Sequence, residues 1–256
     1  MLGLGPSNQL LVILIFGGFF AGLVDSIAGG GGLITLPLLI MAVGNPVDAI
    51  GSNKIVGTVA ALVALFVYRR AGHLDWRKGV TFTLWVSLGS LMGSSLTPFI
   101  PGQILRWAVV VVCPFILWIV WSKDSLISES SALRKRSRTV SQVRLALAGL
   151  ACGFYDGSFG PGGGTFMFLG LLYVVKLPLL SAMAVTKLSN TFSAGTALMR
   201  FLISGHVHWF EGSLLAVGAG AGAFAGARHA SARAAQVVRP VLTFVVVLLI
   251  LKMVLD

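Results

Sequence analysis

The chain has 256 residues, of which 56% are apolar and only 11% are charged, and its formal net charge is +11. Soluble domains carry about 25% charged residues, so this composition excludes an ordinary soluble protein and indicates a membrane protein built of helices. The basic residues lie in loops and at the ends of apolar segments, which favours positive-inside topology over nucleic-acid binding. The short alternating segments of a transmembrane β-barrel are absent from the sequence.

Ten apolar segments follow one another along the chain, and we predict an all-α polytopic membrane protein from them. They cover residues 9–28, 30–44, 49–68, 79–99, 103–121, 143–159, 163–177, 181–203, 212–227 and 237–255. A helix needs about 20 apolar residues to span a bilayer, so 30–44 and 163–177 are short for a span. Each of these two segments could instead form a re-entrant hairpin with the segment before it.

Identical residues recur in the two halves of the chain, which predicts two homologous repeats. At a separation of 133 the matches are Lys54 and Lys187, Thr58 and Thr191, Gly72-His73-x-x-Trp76 and Gly205-His206-x-x-Trp209, and Arg106 and Arg239. Upstream, Asp25 matches Asp156 at a separation of 131. We therefore predict a first transmembrane repeat over 1–121, a basic cytoplasmic linker over 122–142 and a second transmembrane repeat over 143–256.

The number of segments in a repeat predicts how the two repeats are oriented. Five crossings is an odd number, so the second repeat should be inverted relative to the first. The linker and the loops after the third and ninth segments are basic. The positive-inside rule then places these three in the cytoplasm and both termini outside.

Each repeat opens with an acid followed by tandem glycines inside an apolar segment. The runs are Gly22 to Gly32 and Gly153 to Gly164. Consecutive glycines predict a broken helix, and the helix that restarts, at Leu33 or Thr165, presents free N–H groups and a positive dipole end to an anion. Close helix packing is the alternative, and we prefer it for the pairs Gly89/Gly93 and Gly222/Gly226.

Lys54 and Lys187 lie inside apolar segments beside hydroxyl and amide side chains. A buried ammonium group commonly marks a substrate pathway, whereas a lysine near a helix end can also extend to the membrane surface. We predict that both contribute to an anion site. The predicted substrate-binding residues are Gly29, Gly30, Gly31, Gly32, Ser52, Asn53, Lys54, Gly160, Gly162, Gly163, Gly164, Thr165, Thr186, Lys187 and Asn190.

Asp25 and Asp156 allow three interpretations: an ion pair with a lysine, a proton-coupling group, or a helix cap. For His73 and His206, beside Trp76 and Trp209, anchoring at the membrane interface is favoured over a proton relay. Catalytic residues, a metal site and a cofactor are not expected, because the sequence has neither a nucleophile–histidine–acid set nor clustered metal ligands. An enzyme is therefore not predicted.

These motifs resemble those of the TauE/SafE family of sulfite exporters over nearly the whole chain. The resemblance is carried by the run from Gly22 to Pro37, by Gly51-Ser-Asn-Lys54 and by the doubled Gly-His-x-x-Trp. In the second repeat Val185-Thr186 replaces Ser52-Asn53. The resemblance implies a multi-pass carrier of the bacterial inner (plasma) membrane that moves sulfite, sulfoacetate or another small organosulfur anion, mostly outward.

The sequence therefore predicts a secondary transporter that exports a small anion by alternating access. Its expected partners are that anionic substrate and the lipid bilayer. An anion channel and a membrane subunit that does not transport are the alternatives.

Overall fold

The computed structural model describes residues 6–101 and 142–255, and within them it contains helices and no strands. The helices are α1 (Pro6–Ala28), α2 (Gly32–Val43), α3 (Pro46–Arg70), α4 (Trp76–Leu96), α5 (Gln142–Ser158), α6 (Gly163–Leu169), α7 (Leu179–Ile203) and α8 (Trp209–Leu255). A 3-10 turn, Thr97–Phe99, follows α4, and a π-helical turn, Gly170–Val174, continues α6. The all-α prediction is thus confirmed. The predicted segment 103–121, including Arg106, and nearly all of the linker lie outside the described residues.

Four stretches in the described part of the chain are long and apolar enough to cross a membrane: Leu10–Ile27, Pro46–Arg70, Trp76–Phe99 and Trp209–Arg233. The two short apolar helices, Gly32–Val43 and Gly163–Val174, coincide with the predicted short segments. Re-entrant hairpins and an inverted repeat stay predictions.

The repeated Gly-His-x-x-Trp motif lies where one helix ends and the next begins. In the first half α3 ends at Arg70, Gly72 has a φ of 76° and Asp75 caps α4, its Oδ1 accepting from the Lys78 N–H at 3.3 Å. In the second half α7 ends at Ile203 and Gly205 has a φ of 77°. A positive φ favours glycine, so the glycine of each motif allows the chain to turn between one helix and the next.

Two helix pairs pack with their backbones in close approach, α1 against α8 and α4 against α5. A methyl group added at Gly89 would lie 2.8 Å from the Phe154 nitrogen, and one added at Gly222 would lie 2.7 Å from the Phe19 carbonyl carbon. Only glycine permits such proximity. The prediction that these glycines serve close packing is therefore confirmed.

The two predicted segments 212–227 and 237–255 form two helical parts of α8 that meet at a kink, without the expected basic loop between them. Helix α8 continues through residues 228–239, and Arg233, with a φ of −139° and a ψ of 38°, is its one non-helical position. This stretch is rich in alanine and arginine and has no glycine, and both residue types favour helix strongly. A kink at Arg233 therefore replaces the expected loop.

Helices α3 and α7 carry many of the polar residues of the protein interior. They contact each other, and α3 also packs against α8 while α7 packs against α4. Buried polar residues on α3 are Ser52, Asn53 and Lys54, and on α7 they include Thr186, Lys187, Ser189, Asn190 and Ser193. These helices place the functional side chains at the centre of the fold.

Candidate functional site

The helix breaks at the two glycine runs meet in the middle of the molecule. Helix α1 ends at Ala28 and α2 starts at Gly32, while α5 ends at Ser158 and α6 starts at Gly163. A methyl group added at Gly164 would lie 3.0 Å from both the Cα and the carbonyl oxygen of Gly29. Gly29 and Gly160 have φ values of 80° and 85°, which side chains rarely allow. The glycine runs therefore permit both the turns and their contact.

A cavity of about 40 Å³ opens at this meeting point. The predicted residues that line it are Gly29, Gly31, Gly32, Asn53, Lys54, Gly160, Gly164 and Asn190, together with Asp25 and Asp156. The lining residues that sequence reasoning missed are Ala21, Gly22, Thr35, Val56, Gly57, Ala60, Ala194 and Ala219. The predicted residues that do not line it are Gly30, Ser52, Gly162, Gly163, Thr165, Thr186 and Lys187.

Both lysines are buried, with exposed fractions of 3% for Lys54 and 1% for Lys187. This burial argues against the alternative that they extend to the membrane surface. Each reaches the aspartate of the other half of the chain. Lys54 Nζ donates to the Asp156 backbone carbonyl and lies 3.6 Å from Oδ2, while Lys187 Nζ donates to the Asp25 backbone carbonyl and lies 2.8 Å from Oδ2. Opposite charges inside a low-dielectric interior are satisfied only by such pairing.

The carboxylates of the two aspartates also accept hydrogen bonds from groups other than lysine. Asp25 Oδ1 accepts from the Gly31 N–H at 3.3 Å, next to the start of α2. Asp156 Oδ2 accepts from the Ser193 hydroxyl at 2.6 Å. Asp25 therefore combines two of its three interpretations, ion pairing and helix capping.

Asn53 and Asn190 bring amide groups to the cavity from different helices. The Thr35 hydroxyl donates to Asn53 Oδ1 at 2.5 Å, which directs the Asn53 amino group away from Thr35. A methyl group added at Gly32 would lie 3.4 Å from that amino nitrogen. Asn190 is 6% exposed and lines the cavity, and its amide has no hydrogen-bond partner among residues 6–101 and 142–255. Both amides can donate to a bound oxyanion.

Ser52 belongs to a different polar cluster at the junction of α3 with the connection before α8. Its hydroxyl donates to the Asp48 carbonyl at 2.7 Å and accepts from the His208 N–H at 2.8 Å. Asp48 is 2.6 Å from His206 Nδ1 and 3.6 Å from His208 Nε2. Sequence reasoning missed Asp48, because no motif marks it. The Ser52 hydroxyl therefore links α3 to the connection before α8 and does not line the cavity.

The tryptophans beside the histidines point outward, with exposed fractions of 51% for Trp76 and 57% for Trp209. Exposed tryptophan suits the headgroup level of a membrane. Partial burial lowers the pKa of the His73 imidazole from its ordinary value. These features agree with interfacial anchoring.

Long apolar helices around a cavity lined by buried, paired charges define a multi-pass helical membrane protein with an internal polar site. Residues 14–253 match the family model of the sulfite exporter TauE/SafE, so the chain belongs to this family of membrane transporters. The resemblance seen in the motifs is thereby confirmed.

Relatives of similar length bear names that agree with this family. The chain is 34% identical to the probable membrane transporter protein ORF9 of Sinorhizobium sp. over 97% of its length and 94% of the relative. It is 32% identical to the probable membrane transporter protein YfcA of Escherichia coli K12 over 98% of its length and 91% of the relative. The YdhB protein of Bacillus subtilis is 24% identical over 86% of this chain and 89% of its own. No solved structure matches the chain.

Proposed function

We propose that the protein is a secondary transporter that exports a small anion, a sulfur oxyanion or organosulfonate such as sulfite or sulfoacetate, across the inner membrane by alternating access. The single observation that carries the proposal is the buried Lys54 ammonium group in a cavity that Asn53 and Asn190 also line. An ammonium group and amide donors in a site shielded from water bind an oxyanion strongly, because the local dielectric constant is low.

The cavity volume favours a compact substrate. A cavity needs roughly 10–15 Å³ to hold one water molecule, so a cavity of about 40 Å³ has room for a small solute only. Sulfite is a compact oxyanion of that kind. A longer sulfonate such as sulfoacetate requires the cavity to widen.

The start of α2 faces the cavity as well. Its first turn lies beside Gly31 and Gly32, which line the cavity; the Gly31 N–H is bound to Asp25 Oδ1, so an anion would approach the helix N-terminus, which favours negative charge, at Gly32. Lysine, asparagine and helix terminus together supply positive charge and donors from separate elements. Asp25 and Asp156 also line the cavity, but each is paired with a lysine, so the donors that can turn to a ligand support an anion over a cation as the substrate.

The ion pairs between the two halves of the chain are compatible with alternating access. Each lysine pairs with an aspartate of the other half, so the ion pairs cross between the two proposed inverted repeats. Rocking of one repeat against the other would open the cavity first to the cytoplasm and then to the outside. Moving one negative charge outward is favoured by about 2.3 kcal/mol per 100 mV of membrane potential, inside negative, which suffices to drive export.

The proposal is tested with the purified full chain in liposomes loaded with sulfite. We expect saturable efflux that external sulfite accelerates, because exchange by a carrier needs no empty return step. The variant Lys54→Met should abolish this flux, while Lys78→Met, which changes a surface lysine paired with Asp75, should leave it unchanged. Non-saturable current would favour a channel. Absence of both flux and binding for sulfite, sulfate and sulfoacetate would refute the proposal.

A further inference from the structure

The two lysines at equivalent positions of the repeat have different surroundings, and the difference assigns them different roles. Lys54 lines the cavity, whereas Lys187 does not, although both are buried. The inference that follows rests on the proposed transport of an anion and specifies which half of the site binds it.

Lys187 is held in a complete ion pair. Its ammonium group lies 2.8 Å from Asp25 Oδ2 and also donates to the Asp25 backbone carbonyl. The second carboxylate oxygen, Oδ1, accepts from the Gly31 N–H. Both oxygens of Asp25 are thus engaged, and removal of Lys187 would leave a buried carboxylate without its counterion. The pair ties α7 to the end of α1.

Lys54 is held more loosely by its own aspartate. Its ammonium group is 3.6 Å from Asp156 Oδ2, and that same oxygen accepts from the Ser193 hydroxyl at 2.6 Å. In the first repeat Ala60 occupies the position equivalent to Ser193, so Asp25 has no such hydroxyl. Asp156 therefore keeps a donor when Lys54 turns to a ligand, which lowers the cost of releasing the lysine.

The amide donors show the same asymmetry. Asn190 lines the cavity, is nine-tenths buried and has no hydrogen-bond partner within the described parts of the chain, and its equivalent in the first repeat is Gly57. A buried amide without a partner is costly and is commonly satisfied by a ligand or water. Asn53 supplies the other amide, and its equivalent, Thr186, does not line the cavity.

We propose that the anion binds to one side of the doubled site, to Lys54 with the amides of Asn53 and Asn190, and that the Lys187–Asp25 pair is a permanent structural link. Bound anion replaces Asp156 as the counterion of Lys54, while Ser193 keeps Asp156 hydrogen-bonded. The doubled motif thus contains one binding lysine and one structural lysine.

Matched double variants separate these roles, because each removes one buried ion pair and leaves no unpaired charge. The variants are Lys54→Met with Asp156→Asn, and Lys187→Met with Asp25→Asn. The full chain is purified in detergent, and both its unfolding temperature and its affinity for sulfite are measured.

We expect the Lys54 double variant to bind sulfite about 10- to 100-fold more weakly, as loss of a hydrogen bond to a charged donor implies. The Lys187 double variant should lose less than about threefold in affinity, because Asp25→Asn changes a cavity-lining carboxylate to a neutral amide and removes no donor to the anion. The single variant Lys187→Met should unfold at a lower temperature than the wild type, and Asp25→Asn should restore part of that loss.

Equal loss of affinity in both folded double variants would overturn the inference. If the Lys187 double variant does not fold, Lys187→Arg keeps the ion pair. Affinity within about threefold in that variant supports the inference, and a loss of about tenfold or more overturns it. A wild type that binds sulfite separates these outcomes from failure of the proposed function, which would remove binding from the unmodified chain.

Discussion

The packing of α1 against α8 can be tested by adding a single methyl group at Gly222. In the variant Gly222→Ala the new Cβ would lie 2.7 Å from the Phe19 carbonyl carbon and 2.9 Å from the Leu23 nitrogen. An ordinary contact begins at 3.4 Å, and the Phe19 carbonyl oxygen would be closer still than the carbonyl carbon, so the two helices must separate by more than the difference between 3.4 and 2.7 Å, about 0.7 Å. The obstructing atoms belong to the backbone and cannot turn aside. Overpacking of this kind costs about 1–3 kcal/mol in the free energy of unfolding.

Gly195→Ala is the matched control, because a Cβ at Gly195 of α7 would meet nothing within 4 Å. Alanine in a helix interior is more stable than glycine by about 0.5–1 kcal/mol, so the control should shift stability in the opposite direction. Both variants are purified in detergent and unfolded by heating while tryptophan fluorescence is recorded. We expect Gly222→Ala to unfold about 2–12 °C below the wild type. An unchanged unfolding temperature for Gly222→Ala would refute the close-packing argument.

Three further predictions concern single side chains. Lys176 is exposed and has a φ of 58°, a conformation that a Cβ makes unfavourable. Lys176→Gly should therefore raise the free energy of unfolding, measured by heating, by about 1 kcal/mol. Lys176→Ala keeps a Cβ and should not raise it. Gly57→Ala adds a methyl group whose one neighbour within 4 Å is the Ala194 Cβ, at 3.6 Å, so it should narrow the cavity without strain. We therefore expect it to reduce the flux of sulfoacetate more than the flux of sulfite. Equal reductions of the two fluxes would contradict the assignment of Gly57 to the cavity wall. Thr35→Val removes the hydroxyl that orients the Asn53 amide and should weaken sulfite binding about fivefold. The control Thr58→Val loses a hydrogen bond to the Lys54 carbonyl within α3 and should leave sulfite binding unchanged.

The sequence alone indicated the helical membrane class, the positions of the apolar segments and the two glycine runs. These features are local: an apolar stretch long enough for a bilayer and a cluster of glycines can be recognised without knowing what they contact. The helix breaks before Gly32 and Gly163 lie within the predicted runs. The close-packing role of Gly222 was also visible, because its spacing of four from Gly226 places both on one helix face.

The connection between the last two predicted segments is a kink and not a loop, because two local signals disagreed there. The basic residues 228–239 suggested a loop, but the alanine-rich composition of that stretch favours helix, and α8 continues through it with a kink at Arg233. Charge marks which side of a membrane a stretch faces, and it does not by itself end a helix.

Tertiary structure alone decided which residues of the doubled motif face the cavity. Lys54 and Lys187 are equivalent in sequence, yet the rotation and packing of α3 and α7 bring only Lys54 to the cavity wall. The cross-pairing of each lysine with the aspartate of the other half, and the contact of Thr35 with Asn53, join residues that are distant along the chain. The chemical groups of the site could be predicted from the sequence, because each belongs to a short local motif. Their partners followed from packing, because a contact depends on the relative position of helices that no single segment encodes.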